Sequence, residues 1–234
     1  MKIWGISDTH FSGSRGNGML VHGSIWVEHK EQIIRNWRKT VNLDDIVLIC
    51  GDITWSNTLK RAKQDIQILS ELPGKIKIIV RGNHDHWWED YKETCQAVPD
   101  NVRPLSGNAM NVDGHVFCGT MGWLALNDPC SDSLDANFFQ LEMDHLEKSL
   151  EQAAEMNPKY GIHLLLHFPP FTTMGGHTPF LDVIAKFPVI TCTFGHSHFP
   201  EEWERIPQGN INGTVFKLTS TDFLKHKPAL IWEN

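Results

Sequence analysis

Nowhere does the 234-residue chain carry the run of about 18 apolar side chains that a membrane span needs, and its start, MKIWGISDTH, lacks the apolar core of a signal peptide. Export and insertion are not expected; a cytoplasmic address is. No run of lysine and arginine interrupts a net charge of −7, so nothing marks a nucleic-acid backbone or an anionic membrane surface as a partner. An anionic substrate must be attracted locally. The five cysteines form no C-x-x-C pair, and three sit inside strand-like runs, which favours buried, reduced thiols over a disulfide framework. Repeats, low-complexity tracts and linker-like stretches are also missing. With 41% apolar and 21% charged residues the composition is that of an ordinary globular protein, expected as a single domain over residues 1–234.

What is present is a series of short runs rich in β-branched residues: KIWGIS, IVLIC, KIKIIV, VFCGT, IHLLL and VITCTF. Each reads as a buried or half-buried strand. Helical periodicity lies between them. Ile33, Ile34, Trp37 and Val41 share one face, Leu59, Ala62, Ile66 and Leu69 another, and a third helix is expected from near Asp135 to Met156. Alternation of strand and helix predicts a layered α/β fold with parallel central strands. Near the end, TVFKLTS and PALIWEN follow one another with no helix between and read as antiparallel, implying a mixed sheet or a second sheet.

The polar residues concentrate where strands end. The motifs SDTH, CGDIT, RGNHD, HFPP and GHSH each follow one of these apolar runs. Singly, such an aspartate is a turn or helix cap and such a histidine a packing residue. Collectively, Asp8, His10, Asp52, Asn83, His167, His196 and His198 are oxygen and nitrogen donors brought to five strand ends, where open α/β sheets bind ligands. The mixed donor set suits manganese, iron, nickel or zinc rather than calcium. Seven donors are too many for one catalytic ion with an open position and suit two.

The ordered set DTH, GD, GNHD, H and GHSH resembles the calcineurin-like metallophosphoesterase family, from Asp8 to His198. That resemblance implies a two-sheet mixed β-sandwich flanked by helices, and a hydrolase with two divalent ions, manganese first among the candidates. Asp8, His10 and His198 would hold one ion, Asn83, His167 and His196 the other, with Asp52 bridging. A carboxylate suits the bridge because it offers two oxygens and a full charge, whereas a neutral imidazole offers one free lone pair. His84 would contact the phosphoryl group and protonate the leaving oxygen, with Asp85 behind it orienting the ring. The reaction implied is in-line attack of a metal-bridging hydroxide on a small phosphodiester or nucleotide-type phosphate ester. A phosphomonoesterase on the same site, and a binding protein that keeps the fold without catalysis, are the alternatives. The arginine that protein phosphatases of the family carry after GD is missing from GDITWSN, and the charge balance offers a nuclease no basic groove.

Arg15, Arg81, His86, Trp87 and Trp88 are the candidates for substrate contact: the arginines for a phosphate, the tryptophans, with Trp55, for stacking on a flat group. Core packing competes for all three tryptophans. Oligomeric state is left open.

Overall fold

The computed structural model describes residues 1–11, 18–88 and 90–233. Arg15 therefore lies outside the described residues. The elements follow in chain order: β1 (Lys2–Ile6), α1 (His29–Thr40), β2 (Ile46–Cys50), α2 (Leu59–Glu71), β3 (Ile76–Val80), α3 (Tyr91–Ala97), β4 (Val102–Leu105), β5 (Asn108–Val112), β6 (His115–Gly119), α4 (Asp135–Glu155), β7 (Ile162–Leu165), α5 (Pro179–Ile184), β8 (Val189–Phe194), α6 (Pro200–Arg205), β9 (Gly209–Ile211), β10 (Thr214–Leu218) and β11 (Ala229–Glu233). Two short 3₁₀ turns, Gly18–His22 and Ser24–Trp26, precede α1.

The strands form a five-stranded sheet in the order β11-β1-β2-β3-β4 and a six-stranded sheet in the order β5-β6-β7-β8-β10-β9. Neighbours at the centre of each sheet run parallel; antiparallel pairs close both edges of the second sheet and the β11 edge of the first, whose other edge strand, β4, lies parallel to β3. The expected two-sheet mixed sandwich with outer helices is what forms. Alternation along β2 shows why. Val47 and Ile49 face α1 and α2, whereas Ile46, Leu48 and Cys50 meet Phe117 and Leu165 of the other sheet. A strand buried on both faces reads as a continuous apolar run, as IVLIC does. On the outer face of the second sheet, α4 buries Leu146, Leu150 and Ala153.

The two C-terminal strands do not pair with each other. β10 lies parallel to β8 and antiparallel to β9, and β11 crosses to the first sheet to pair antiparallel with β1. Absence of a helix between two strands constrains neither to be the other's neighbour, and each apolar edge took the partner that buried it. Among the described residues no helix is long and apolar enough to cross a membrane. All five cysteines are free, with Cys50, Cys118 and Cys192 buried.

Candidate metal centre

The carboxyl ends of β1, β2, β3, β7 and β8 open onto one end of the sandwich, and the chain departs from each strand through a polar residue aimed at the same place. Asp8, His10, Asp52 and His196 all have left-handed backbones, with φ of 55°, 44°, 50° and 71°. Such conformations in non-glycine residues cost on the order of 1–3 kcal/mol each and persist only where the surroundings impose them. Here the loops after β1 and β2 are stitched together. Asp8 N donates to Gly51 O (2.9 Å), His10 N to Asp52 O (3.0 Å) and Phe11 N to Ile53 O (2.9 Å). Close approach accounts for two glycines nearby. A Cβ on Gly82 would collide with the backbone and carboxylate of Asp52, and one on Gly195 with Ser7 and Asp8.

All seven predicted donors converge. Nε2 of His198 lies 3.5 Å from Oδ1 of Asp8, and these two with His10 form one group able to hold an ion. Asp8, Asp52 and His167 form a second. Oδ2 of Asp52 lies 3.6 Å from Nε2 of His10 and 3.6 Å from Nε2 of His167. Oδ1 of Asn83 completes the cluster, 2.8 Å from Nε2 of His167 and 3.1 Å from Nδ1 of His196.

The donor set fits a cation. Nδ1 of His167 donates to Cys50 O (2.8 Å), so in the neutral ring Nε2 carries a lone pair and faces the Asn83 carbonyl oxygen. Burial pulls His167 below the ordinary imidazole pKa, and His10 and His196 well below it, keeping their lone pairs available. Nδ1 of His10 is buried with no hydrogen-bond partner among the described residues. Lone pairs this close, out of water, are accommodated by positive charge. In the carboxylates, burial and then repulsion from Asp85 and Asp8 push Asp52 well above the usual range. Burial opposes ionisation of Asp8 too, but His198 outweighs it and holds the carboxyl low. His198 is correspondingly driven up to about 10: burial works against its charge, but Asp222 and Asp8 prevail.

His84 stands at the rim. Its backbone N–H donates to Oδ1 of Asp52 (2.8 Å), and its ring packs 4.5 Å from Trp55, which also stacks on His10 at 4.7 Å. The expected position of Asp85 behind that ring is corrected. Oδ1 of Asp85 accepts from Ile53 N (2.9 Å), Thr54 N (3.2 Å) and Trp87 Nε1 (2.8 Å), and Oδ2 from Gly82 N (2.9 Å). Both oxygens are committed, and among the described residues neither is hydrogen-bonded to His84. Asp85 instead pins the GD loop to the GNHD loop from beneath.

For Trp87 and Trp88 core packing prevails over substrate contact. Each is 2% exposed and packed in the core with Trp37 and Ile53, and Asp85 accepts the buried indole N–H of Trp87. Trp88 borders a small cavity of about 240 Å³ with Arg81 and His145, and none of the seven donors lines it. His86 is exposed, its ring 6.3 Å from His84. His22, which carried no expectation, lies 5.3 Å from His198, and Trp26 5.5 Å from it. Asp222 was missed altogether. Its carboxylate lies 3.0 Å from Nδ1 of His198, and in the sequence TSTDF it looks like any turn aspartate.

A family profile described as calcineurin-like phosphoesterase matches residues 1–200. The chain belongs to the calcineurin-like phosphoesterase family. Family and Asp/His cluster together support a metal-dependent phosphoesterase. The crystal structure of a protein of unknown function from Aquifex aeolicus, AQ665, shares the fold with a TM-score of 0.51 and 18% identity, over 98% of this phosphoesterase and 95% of that chain. No curated protein matches the sequence.

Proposed function

We propose that this phosphoesterase hydrolyses a small phosphodiester or nucleotide-type phosphate ester at a centre of two divalent ions, manganese being the first candidate. One observation carries the reading: a single oxygen of Asp52 stands 3.6 Å from an imidazole nitrogen of each proposed ligand group, so Asp52 would be the carboxylate common to both. Asp8, His10 and His198 would hold one ion and Asn83, His167 and His196 the other. Bound there, the ions would supply Lewis acidity, lowering the pKa of a water and neutralising phosphoryl charge. Asp8 and Asp222 favour the charged His198 ring, so its Nε2 would have to give up a proton to serve as a ligand.

The side chains supply position and a proton. His84 has one face against Trp55 and its backbone on Asp52, so its ring stays at the rim where a leaving oxygen would depart. Burial, followed by the neighbouring His86, pulls His84 below the ordinary imidazole range; an arriving phosphate anion would draw it back towards the protonated donor. Half-buried Trp55 stacks on His10 at the site and keeps the stacking role expected of it, whereas Trp87 and Trp88 are buried away from it.

The test is turnover of bis-p-nitrophenyl phosphate against p-nitrophenyl phosphate by manganese-reconstituted protein, with Asp52→Asn and His84→Ala alongside. Loss of a general acid costs about 10²–10⁴-fold in rate. Full activity in both variants would refute the mechanism, turnover of monoesters alone would refute the diesterase, and fewer than one ion per chain would favour a binding protein.

A further inference from the structure

We propose that Asp222, in the turn after β10, is a positioning residue of the metal centre: it holds the His198 ring with Nδ1 turned outward and Nε2 presented to the ion. This rests on the reading of His198 as a ligand. It extends the functional part of the chain beyond the family match, which ends at residue 200.

An imidazole that binds through one nitrogen is free to rotate or change tautomer unless the other N–H is fixed, and a carboxylate there both fixes it and raises its basicity. Oδ2 of Asp222 is 3.0 Å from Nδ1 of His198, while Nε2 on the far side of the ring faces Oδ1 of Asp8 at 3.5 Å. His167 has only the carbonyl of Cys50 for this purpose. Of the proposed ligands whose outer nitrogen is hydrogen-bonded, His198 alone is backed by a carboxylate among the described residues.

A turn cap would need only half of this side chain. Oδ1 of Asp222 accepts from Phe223 N (3.0 Å), and the backbone carbonyl accepts from Lys225 N (3.0 Å), which together close the turn. Oδ2 adds nothing to the turn, and its partner is His198. The whole segment is registered against the first ligand loop. Ser7 N donates to Thr219 O (2.8 Å) and Thr221 N to Ser7 O (3.1 Å), so the residue before Asp8 and the residue before Asp222 are tied by main-chain bonds. Asp222 is 3% exposed, buried enough for its charge to act on the ring with little screening.

The experiment measures Mn²⁺ affinity of the metal-free full chain by competition with a fluorescent chelator, for wild type, Asp222→Asn and Asp222→Ala, with thermal midpoints recorded in parallel. Affinity should fall about 10–100-fold in the alanine variant. The asparagine variant should lose less, since its carbonyl can still accept from Nδ1. Wild-type affinity in both variants, with only the midpoint lowered, would make Asp222 a turn cap and overturn the inference while leaving the ligand reading intact. Failure of the wild type to bind Mn²⁺ would overturn both. Should neither variant fold, ¹⁵N spectra of zinc-loaded wild type decide: a slowly exchanging proton on Nδ1 of His198 with Nε2 bound supports the role, and coordination through Nδ1 refutes it.

Discussion

Replacing Asp85 by asparagine separates two jobs that a carboxylate beside His84 could have. The amide keeps the volume and, with its oxygen in the place of Oδ1, the bonds from Ile53, Thr54 and Trp87. Its NH₂ then faces the Gly82 N–H that Oδ2 now accepts at 2.9 Å. One buried backbone donor loses its acceptor and the amide gains an unpaired N–H of its own, at about 1–3 kcal/mol each. Relief of the repulsion between Asp85 and Asp52 offsets part of that, leaving a net loss of about 3 kcal/mol. For a chain of this size 1 kcal/mol moves the midpoint by about 2–4 °C, so the variant should melt about 6–12 °C lower. Calorimetry of the metal-free proteins reads this directly. In the cold, where both are folded, kcat should stay within about tenfold of wild type because His84 is aimed by Trp55 and Asp52. An unchanged midpoint with kcat reduced about 100-fold or more, and a shifted acid limb in the pH–rate profile, would restore Asp85 as the orienter of His84 and refute the pin.

Three further outcomes follow from the same geometry. Gly82→Ala drives a methyl group into Asp52, and a displacement of about 1 Å at the reacting centre costs about 100-fold; Mn²⁺ stoichiometry and kcat should fall together, and retention of both would show that the loop can yield. Trp87→Phe removes the indole N–H from Asp85 and should cost about 1.5–3 kcal/mol in denaturant unfolding while leaving KM for the diester unchanged; a raised KM would return Trp87 to the substrate. At the opposite ends of its strands from the metal loops, His163 is buried beside His115, and burial followed by that neighbour's charge lowers it to about 3. Being a base with a depressed pKa, it stays neutral in the folded chain while the unfolded chain takes a proton below about 6.5. Its contribution is intact above that pH and is lost towards pH 3, by up to about 1.4 kcal/mol per unit. His163→Gln should therefore flatten acid unfolding between these values, and an identical slope would contradict the assignment.

The central strands and their order of appearance were legible because short continuous apolar runs, buried on both faces, are a local signal. So were the seven donors, since each follows a strand and types as a metal-binding atom. The short strands β4, β5 and β9 and the helices α3, α5 and α6 left no comparable trace. They span three to seven residues, and what holds them is a neighbour rather than their own periodicity.

Within RGNHDHWW the division is sharpest. Residue type and order determined that Asn83 and His84 stand at a strand end with the other donors, because a motif's position in the chain is carried by the chain. Which way Asp85 points was decided by three backbone N–H groups on two loops, and the sequence has no letter for a backbone donor left over when strands separate. The burial of Trp87 and Trp88 was settled the same way, by the room beneath that loop. Asp222 lies 24 residues from His198 along the chain and 3.0 Å from it in space, a proximity created only when β10 takes its place beside β8.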